Sequence, residues 1–249
     1  MAKFDIKKIL EREIHKIGLG WDIKGVIDSQ NRIYTIPNDT KLISKVLELV
    51  TTPIILDIAK HYNIQVIQSD RQTVYPDFTL ALRDKSKIAL DVKSTYRRNG
   101  NRVAGFTLGS YTGYLRNPTK NIMFPYHEYK EHWVLGFIYS REEKANRDIV
   151  PLAKIDEILP TIKDIEIIIQ PKYRIAADRP GSGNTANIGS VTEIERLRKG
   201  EGVFAKYGEK VFEDYWRNFL QRKIARDMGK EQPYHNLEEY LAWKKQRSI

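Results

Sequence analysis

Tyr75-Pro76-Asp77-Phe78-Thr79-Leu80 and, after a short interruption, Ile88-Ala89-Leu90-Asp91-Val92-Lys93 are the segments on which the fold turns. Leu80, Leu82, Ile88, Leu90 and Val92 recur at the alternate spacing of strands with one buried face. The polar run Arg83-Asp84-Lys85-Ser86 between them reads as a turn, so the segments form a hairpin. With Leu82 paired to Lys87, Asp77 falls opposite Val92 and has Asp91 and Lys93 as diagonal neighbours. Side chains alternate faces along a strand, so Asp91 and Lys93 point the same way. Three charged groups converge at one end of the hairpin.

That pattern has an ordinary reading and a chemical one. In the ordinary one Asp77 caps a turn after Pro76, and Asp91 and Lys93 form a surface ion pair. For an isolated Asp…Asp-x-Lys match this is the more frequent outcome. In the chemical one, Asp77, Asp91 and the Val92 carbonyl hold Mg²⁺, a hard cation that takes oxygen ligands and keeps several waters. Such an ion can set an attacking water against a phosphodiester. Lys93 then stabilises the developing charge or helps deprotonate that water. Glu48 is a candidate auxiliary acid or second metal ligand, provided its helix packs on the sheet.

Working outward, residues 4–17 have helical spacing with one apolar face, and residues 22–36 read as a hairpin around Asp28 to Asn31. Asn38 or Asp39 can cap a helix from Thr40, with Leu42, Ile43, Val46, Leu47 and Val50 on its buried side. Thr52-Pro53 reads as a second cap, at which the helix restarts or kinks before ending near His61. Strands are expected at 64–67, 77–82, 87–93, 133–139 and 165–170. Residues 106–116 lead into a short helix, 141–149 are a polar connection, and 178–190 are a long loop. Helices follow near 192–199, 209–227 and 236–246, with Tyr215-Trp216 in the core. The class is α/β or α+β, a central mixed sheet flanked by helices, in one domain spanning 1–249.

The composition fits a polyanion partner. The 249 residues carry a net charge of +10, from 42 Lys and Arg against 32 Asp and Glu. A basic chain attracts nucleic acid through counterion release, without regard to sequence. No apolar run approaches the ~20 residues that span a bilayer. There is no cysteine, which excludes disulfides and thiolate metal sites and is compatible with the cytoplasm. His15, His61, His127, His132 and His235 show no zinc-like spacing.

Gly181-Ser182-Gly183-Asn184-Thr185-Ala186 formally matches a dinucleotide fingerprint, but it lacks the strand and helix which that motif requires. A base-reading turn fits better. Asn184 can pair in a bidentate manner with adenine, and the Thr185 methyl can meet a thymine methyl. An ordinary solvent loop is the alternative. Residues 116–121 are polar and basic and could hold phosphates or form a solvated turn; Arg222, Lys223 and Arg226 on one helix are phosphate clamps or an exposed face.

In this order the motifs resemble the EcoRV-like type II restriction endonucleases of the PD-(D/E)xK superfamily. The match is carried by Asp39-Thr-Lys41, Glu48-Leu49, Tyr75-Pro-Asp-Phe-Thr-Leu80, Asp91-Val-Lys93 and Phe106-Thr-Leu-Gly109. Arg116-Asn117, Thr119-Lys-Asn-Ile122, Gly181-Ser-Gly-Asn-Thr185, Asn187-Ile-Gly-Ser190 and Tyr215-Trp-Arg-Asn218 extend it. The resemblance implies a homodimer that cuts both strands of double-stranded DNA at GATATC, bluntly at the centre. It implies Mg²⁺ on Asp77 and Asp91, with Mn²⁺ able to substitute, Lys93 as the catalytic lysine and Glu48 as the auxiliary acid. Gly181 to Thr185 and Asn187 become the major-groove reader, Gln72 approaches the minor groove, and Thr95, Thr112, Lys120, Arg141 and Arg226 become contacts to the DNA backbone. Residues 18–36 and 150–160 become a dimerisation lobe, and a methyltransferase protects the host's copies of the site. Ala186 stands where the family has threonine, and Gly113 where it has serine. The alternatives are a nonspecific or repair-type nuclease on the same scaffold, or a DNA-binding module without catalysis.

Overall fold

The computed structural model describes residues 4–17, 22–69, 71, 73–144, 148–181 and 186–247. Helix α1 (Ile6–Ile17) is followed by a hairpin of β1 (Gly25–Ile27) and β2 (Arg32–Thr35), and then by the long helix α2 (Thr40–Tyr62). Asp39 caps α2, accepting from the backbone N–H groups of Lys41 and Leu42 at 2.9 Å. The helix does not restart at Pro53. The Thr51 and Thr52 hydroxyls bond back to the Leu47 and Glu48 carbonyls and hold the turn around the proline. Ile43 and Leu47 before it, and Ile54, Ile55 and Ile58 after it, are buried in one continuous face. Packing of that face carries the helix past a residue that local propensity would place at an end. Leu42, expected on this face, is exposed.

Strands β3 (Gln65–Ile67), β4 (Phe78–Ala81) and β5 (Lys87–Arg98) come next. The β4–β5 register differs from the expected one. Ala81 pairs with Lys87 and Phe78 with Leu90, which brings Asp77 opposite Asp91 rather than Val92. The cause lies in the turn. Lys85 adopts a left-handed conformation at φ 67°, and its N–H donates to the Leu82 carbonyl at 3.0 Å. Leu82 N–H then donates to the Ser86 carbonyl at 2.9 Å, so the loop spans 83–85 and the strands shift by one. Asp84 fixes this turn by accepting from the Ser86 N–H at 3.0 Å. Residues directly opposite share a face, so the shift puts both aspartates on the same side of the sheet.

After β6 (Arg102–Val103) and β7 (Thr107–Ser110), a π-helical turn at Tyr111–Leu115 leads to β8 (Tyr129–Arg141). Strand β9 (Ile149–Pro151) joins the β1–β2 hairpin in a separate three-stranded sheet. The central sheet has the order β10-β8-β5-β4-β3, where β10 is Ile162–Pro171. Strands β5 and β8 run parallel and the other neighbours in this order antiparallel, which makes the sheet mixed as expected. Its two faces divide the core. Phe78, Leu80, Ile88, Leu90 and Val92 pack towards α1 and α2, while Ala89, Val134 and Ile138 pack on the opposite side. Asp91 stands between apolar neighbours on that second side.

The remaining chain covers the second face. The short helix α3 (Lys172–Ile175) leads into β11 (Ala176–Pro180) and β12 (Asn187–Ser190), which with β7 form a third sheet. The expected long loop at 178–190 is therefore flanked by strands. Gly189 permits this pairing, because a Cβ there would lie 3.0 Å from the Arg179 carbonyl oxygen and the Gly181 nitrogen. Helices α4 (Ile194–Lys199), α5 (Glu209–Asn218), α6 (Arg222–Asp227) and α7 (Leu237–Gln246) follow. The single helix expected over 209–227 is broken at Phe219, which turns extended to bury its ring against Tyr215 and Trp216. Tyr215 and Trp216 are fully buried, as their sequence context predicted.

Candidate active site

The β4–β5 end brings Asp77, Asp91 and Lys93 together. Lys93 Nζ lies 2.8 Å from Asp91 Oδ2 and 3.6 Å from Asp77 Oδ2. Asp77 Oδ2 also accepts from the Val92 N–H at 2.7 Å, so the residue between the other two fixes its carboxylate. Lys93 Nζ donates to the Val92 carbonyl at 3.1 Å. Asp91 is buried and Asp77 and Lys93 are partly open, so the group is reached from one side.

Burial decides the charges. It pushes the Asp77 carboxyl up to about 7, against the pull of Lys93 and with a further push from Asp91. Burial also opposes ionisation of Asp91, but Lys93, and then Lys172, hold it below the usual carboxylate range. Burial works against the Lys93 charge too, yet Asp91 and Asp77 outweigh it and raise its pKa. Asp91 Oδ2 is buried and faces the Lys93 ammonium at 2.8 Å. Two carboxylates and a carbonyl are a donor set that fits a hard divalent cation.

Glu48 comes from α2 and lines a cleft of about 620 Å³ with Lys93, Thr95 and Thr107. Its charge is among those that raise Asp77. Its carboxylate pairs with Lys45 at 2.7 Å, and among the described residues it does not close with the two aspartates into one cluster.

The expected DNA-contact residues lie in several places. Thr95 lines the same cleft, but its hydroxyl is buried and, among the described residues, without a hydrogen-bond partner. Thr112 lies in the π-helical turn, its hydroxyl 3.1 Å from that of Ser110. Lys120 is exposed. Arg141 stacks on the Tyr96 ring at 3.4 Å. Arg226 is exposed at the end of α6. Gly181 and Asn187 bracket the β11–β12 tip, and Gly181 N–H donates to the Asn187 carbonyl at 3.0 Å. Gln72 and Ser182, Gly183, Asn184 and Thr185 lie outside the described residues.

A second polar group was not legible beforehand. His132, Glu209 and Glu213 meet on the face of the sheet that α5 covers. Lys172, fully buried beside them, is 3.2 Å from the Tyr114 hydroxyl and 3.7 Å above the Tyr75 ring. The Glu209 and Glu213 spacing along one helix was visible, but nothing local in the sequence tied it to His132 or Lys172.

A two-carboxylate and lysine group at the end of a mixed sheet, beside an open cleft, suits metal-dependent hydrolysis of a phosphodiester. The family model for restriction endonuclease EcoRV matches residues 18–245. The chain is 37% identical over 228 residues to the type II restriction enzyme EcoRV of Escherichia coli, covering 90% of this chain and 91% of that protein. It therefore belongs to the EcoRV restriction endonuclease family and is a DNA-cleaving hydrolase of the type II restriction class. The structure of NlaIV restriction endonuclease is also similar, with a TM-score of 0.43 at 11% identity over 98% of this chain and 97% of that one. No described helix is long and apolar enough to cross a membrane.

Proposed function

We propose that the chain acts as a homodimer that cuts double-stranded DNA at GATATC, bluntly at the centre, with Mg²⁺ as cofactor and Mn²⁺ able to replace it. The observation that carries this is the convergence of Asp77, Asp91, Lys93 and the Val92 carbonyl at the cleft. In this reading Asp77, Asp91 and the Val92 carbonyl hold the cation, with Glu48 as an auxiliary ligand or acid. When bound, the ion supplies a Lewis acid that polarises the scissile phosphate.

The chain's own groups do the rest. Lys93, held as a cation by Asp91 and Asp77, stabilises charge that develops on the phosphate. Asp77 is held by the Val92 N–H, which fixes its carboxylate beside Lys93. Hydrolysis leaves 5′-phosphate and 3′-hydroxyl ends. Gly181 to Thr185 and Asn187 read base edges in the major groove, and Gln72 approaches the minor groove. Thr95, Thr112, Lys120, Arg141 and Arg226 position the backbone. A flexible TA step at the site centre would lower the cost of bending the DNA.

The dimer reading has its own support. Val26 pairs with Tyr34, and Tyr34 with Ile149, so these three side chains form a row across β1, β2 and β9. They are 62%, 41% and 52% exposed. An apolar row of this kind on a small sheet suits a second copy of the chain, consistent with residues 18–36 and 150–160 as a dimerisation lobe. A methyltransferase acting on the same site would protect the DNA of the host cytoplasm.

Digestion of a plasmid of known sequence, with the ends read, tests the proposal. Discrete blunt fragments that require Mg²⁺ are expected, and Asp91→Ala should bind DNA without cutting it. A smear of products, or activity that survives chelation, would count against it.

A further inference from the structure

Residues Glu209 and Glu213 are one turn apart on α5, which puts both carboxylates on one side of the helix. That side meets His132 of β8. A ring nitrogen of His132 and one oxygen from each carboxylate all lie within 4.8 Å of one another. Such proximity of two acids is unfavourable without a cation between them. Burial pushes Glu209 up to about 7, with Glu213 adding to the shift, and raises Glu213 as well. Arg217 approaches Glu213 only at 3.7 Å, and Lys172, the cation nearest Glu209, is itself pushed down to about 7 by burial.

The imidazole is prepared for a ligand role. It is 3% exposed, and burial, with Lys172 adding, holds its pKa well below the ordinary range, so the ring is neutral. Nδ1 lies 2.8 Å from the Tyr75 hydroxyl. With Nδ1–H donating to that oxygen, Nε2 carries the ring's lone pair, the arrangement found in imidazoles that bind metals. A separate observation points into the same space. Tyr126 is 6% exposed, and its ring stacks on His132 at 4.2 Å. Its hydroxyl makes no well-aligned hydrogen bond among the described residues, and Glu213 is the group closest to giving it one. Burial, and then the charges of Glu213, Tyr114 and Glu209, raise its pKa, which places the acids around that hydroxyl. A buried hydroxyl so poorly satisfied is costly.

We propose that His132, Glu209 and Glu213 form a site for a divalent transition metal of the Zn²⁺ class, separate from the nuclease centre, which ties α5 to the central sheet. One imidazole and two carboxylates suit a borderline ion such as Zn²⁺ better than Mg²⁺. A water in the fourth position would satisfy Tyr126.

Zn²⁺ titrated calorimetrically into the full-length Asp91→Ala chain tests this. One ion per chain should still bind and should raise the melting temperature. Adding Glu209→Gln or Glu213→Gln should weaken binding by about tenfold or more and abolish that rise. Crystals soaked in Zn²⁺ should show an anomalous peak at His132, a reading that needs no variant to fold. Unchanged affinity in both glutamine variants, or a peak elsewhere only, would overturn the proposal. Cleavage by the unaltered chain in Mg²⁺ would be unaffected by either result, so the two readings fail separately.

Discussion

Acidification below pH 7 should loosen the cation at the Asp77–Asp91 pair by about tenfold per pH unit once Asp77 is mostly protonated. Burial pushes Asp77 up to about 7, while Asp91 is held ionised by Lys93. Binding a cation therefore requires the loss of one proton, from Asp77. With that pKa, about nine-tenths of Asp77 is ionised at pH 8 and about one-tenth at pH 6, so the apparent affinity falls about tenfold between them. A further fall of about tenfold follows by pH 5. The sign for stability is opposite. The folded pKa lies above the unfolded value of 3.8, so without a cation Asp77 favours the fold at low pH, and that contribution is lost as pH rises through about 7. Mg²⁺ titrated calorimetrically at pH 5, 6, 7 and 8 measures the effect. Glu48→Gln should move the midpoint downward, because the Glu48 charge helps raise Asp77. An affinity flat between pH 6 and 8 would refute the reasoning, since it would mean that Asp77 is already ionised.

Tyr34→Asp should convert the proposed dimer to a monomer by placing a carboxylate in the row between Val26 and Ile149; sedimentation equilibrium would report it, and an unchanged mass would argue for another interface. Lys172→Met should flatten the pH dependence of stability above neutrality. Burial holds the folded amine near 7, so the unfolded chain binds more protons between there and about 10.4, and wild-type stability should rise by about 2 kcal/mol from pH 7 to 9. Denaturant midpoints of both chains at the two pH values check this, and parallel slopes would disprove it. Leu47→Ala, at a fully buried site on α2, should cost about 2–5 kcal/mol by the same measurement.

The sequence by itself determined the residues of the proposed cutting centre. Asp77, Asp91 and Lys93 were legible because their apolar strands alternate at a fixed period and their order matches a family. The cap at Asp39 was legible for the same kind of reason, since an N-cap acts within a few residues of itself. Tertiary structure decided what those rules leave open. The β4–β5 register depended on the left-handed Lys85, and a shift of one residue determines which face Asp77 takes. Helix α2 continued through Pro53 because burial on both sides outweighs one lost hydrogen bond. Strand β12, beyond the Gly181–Asn187 tip, pairs with β7 on one side and β11 on the other, and the β7 contact is long-range with no local signature. His132 meets Glu209 and Glu213 only because β8 is covered by α5. Chemistry that depends on spacing along one element could be read from the chain, and chemistry assembled between distant elements could not.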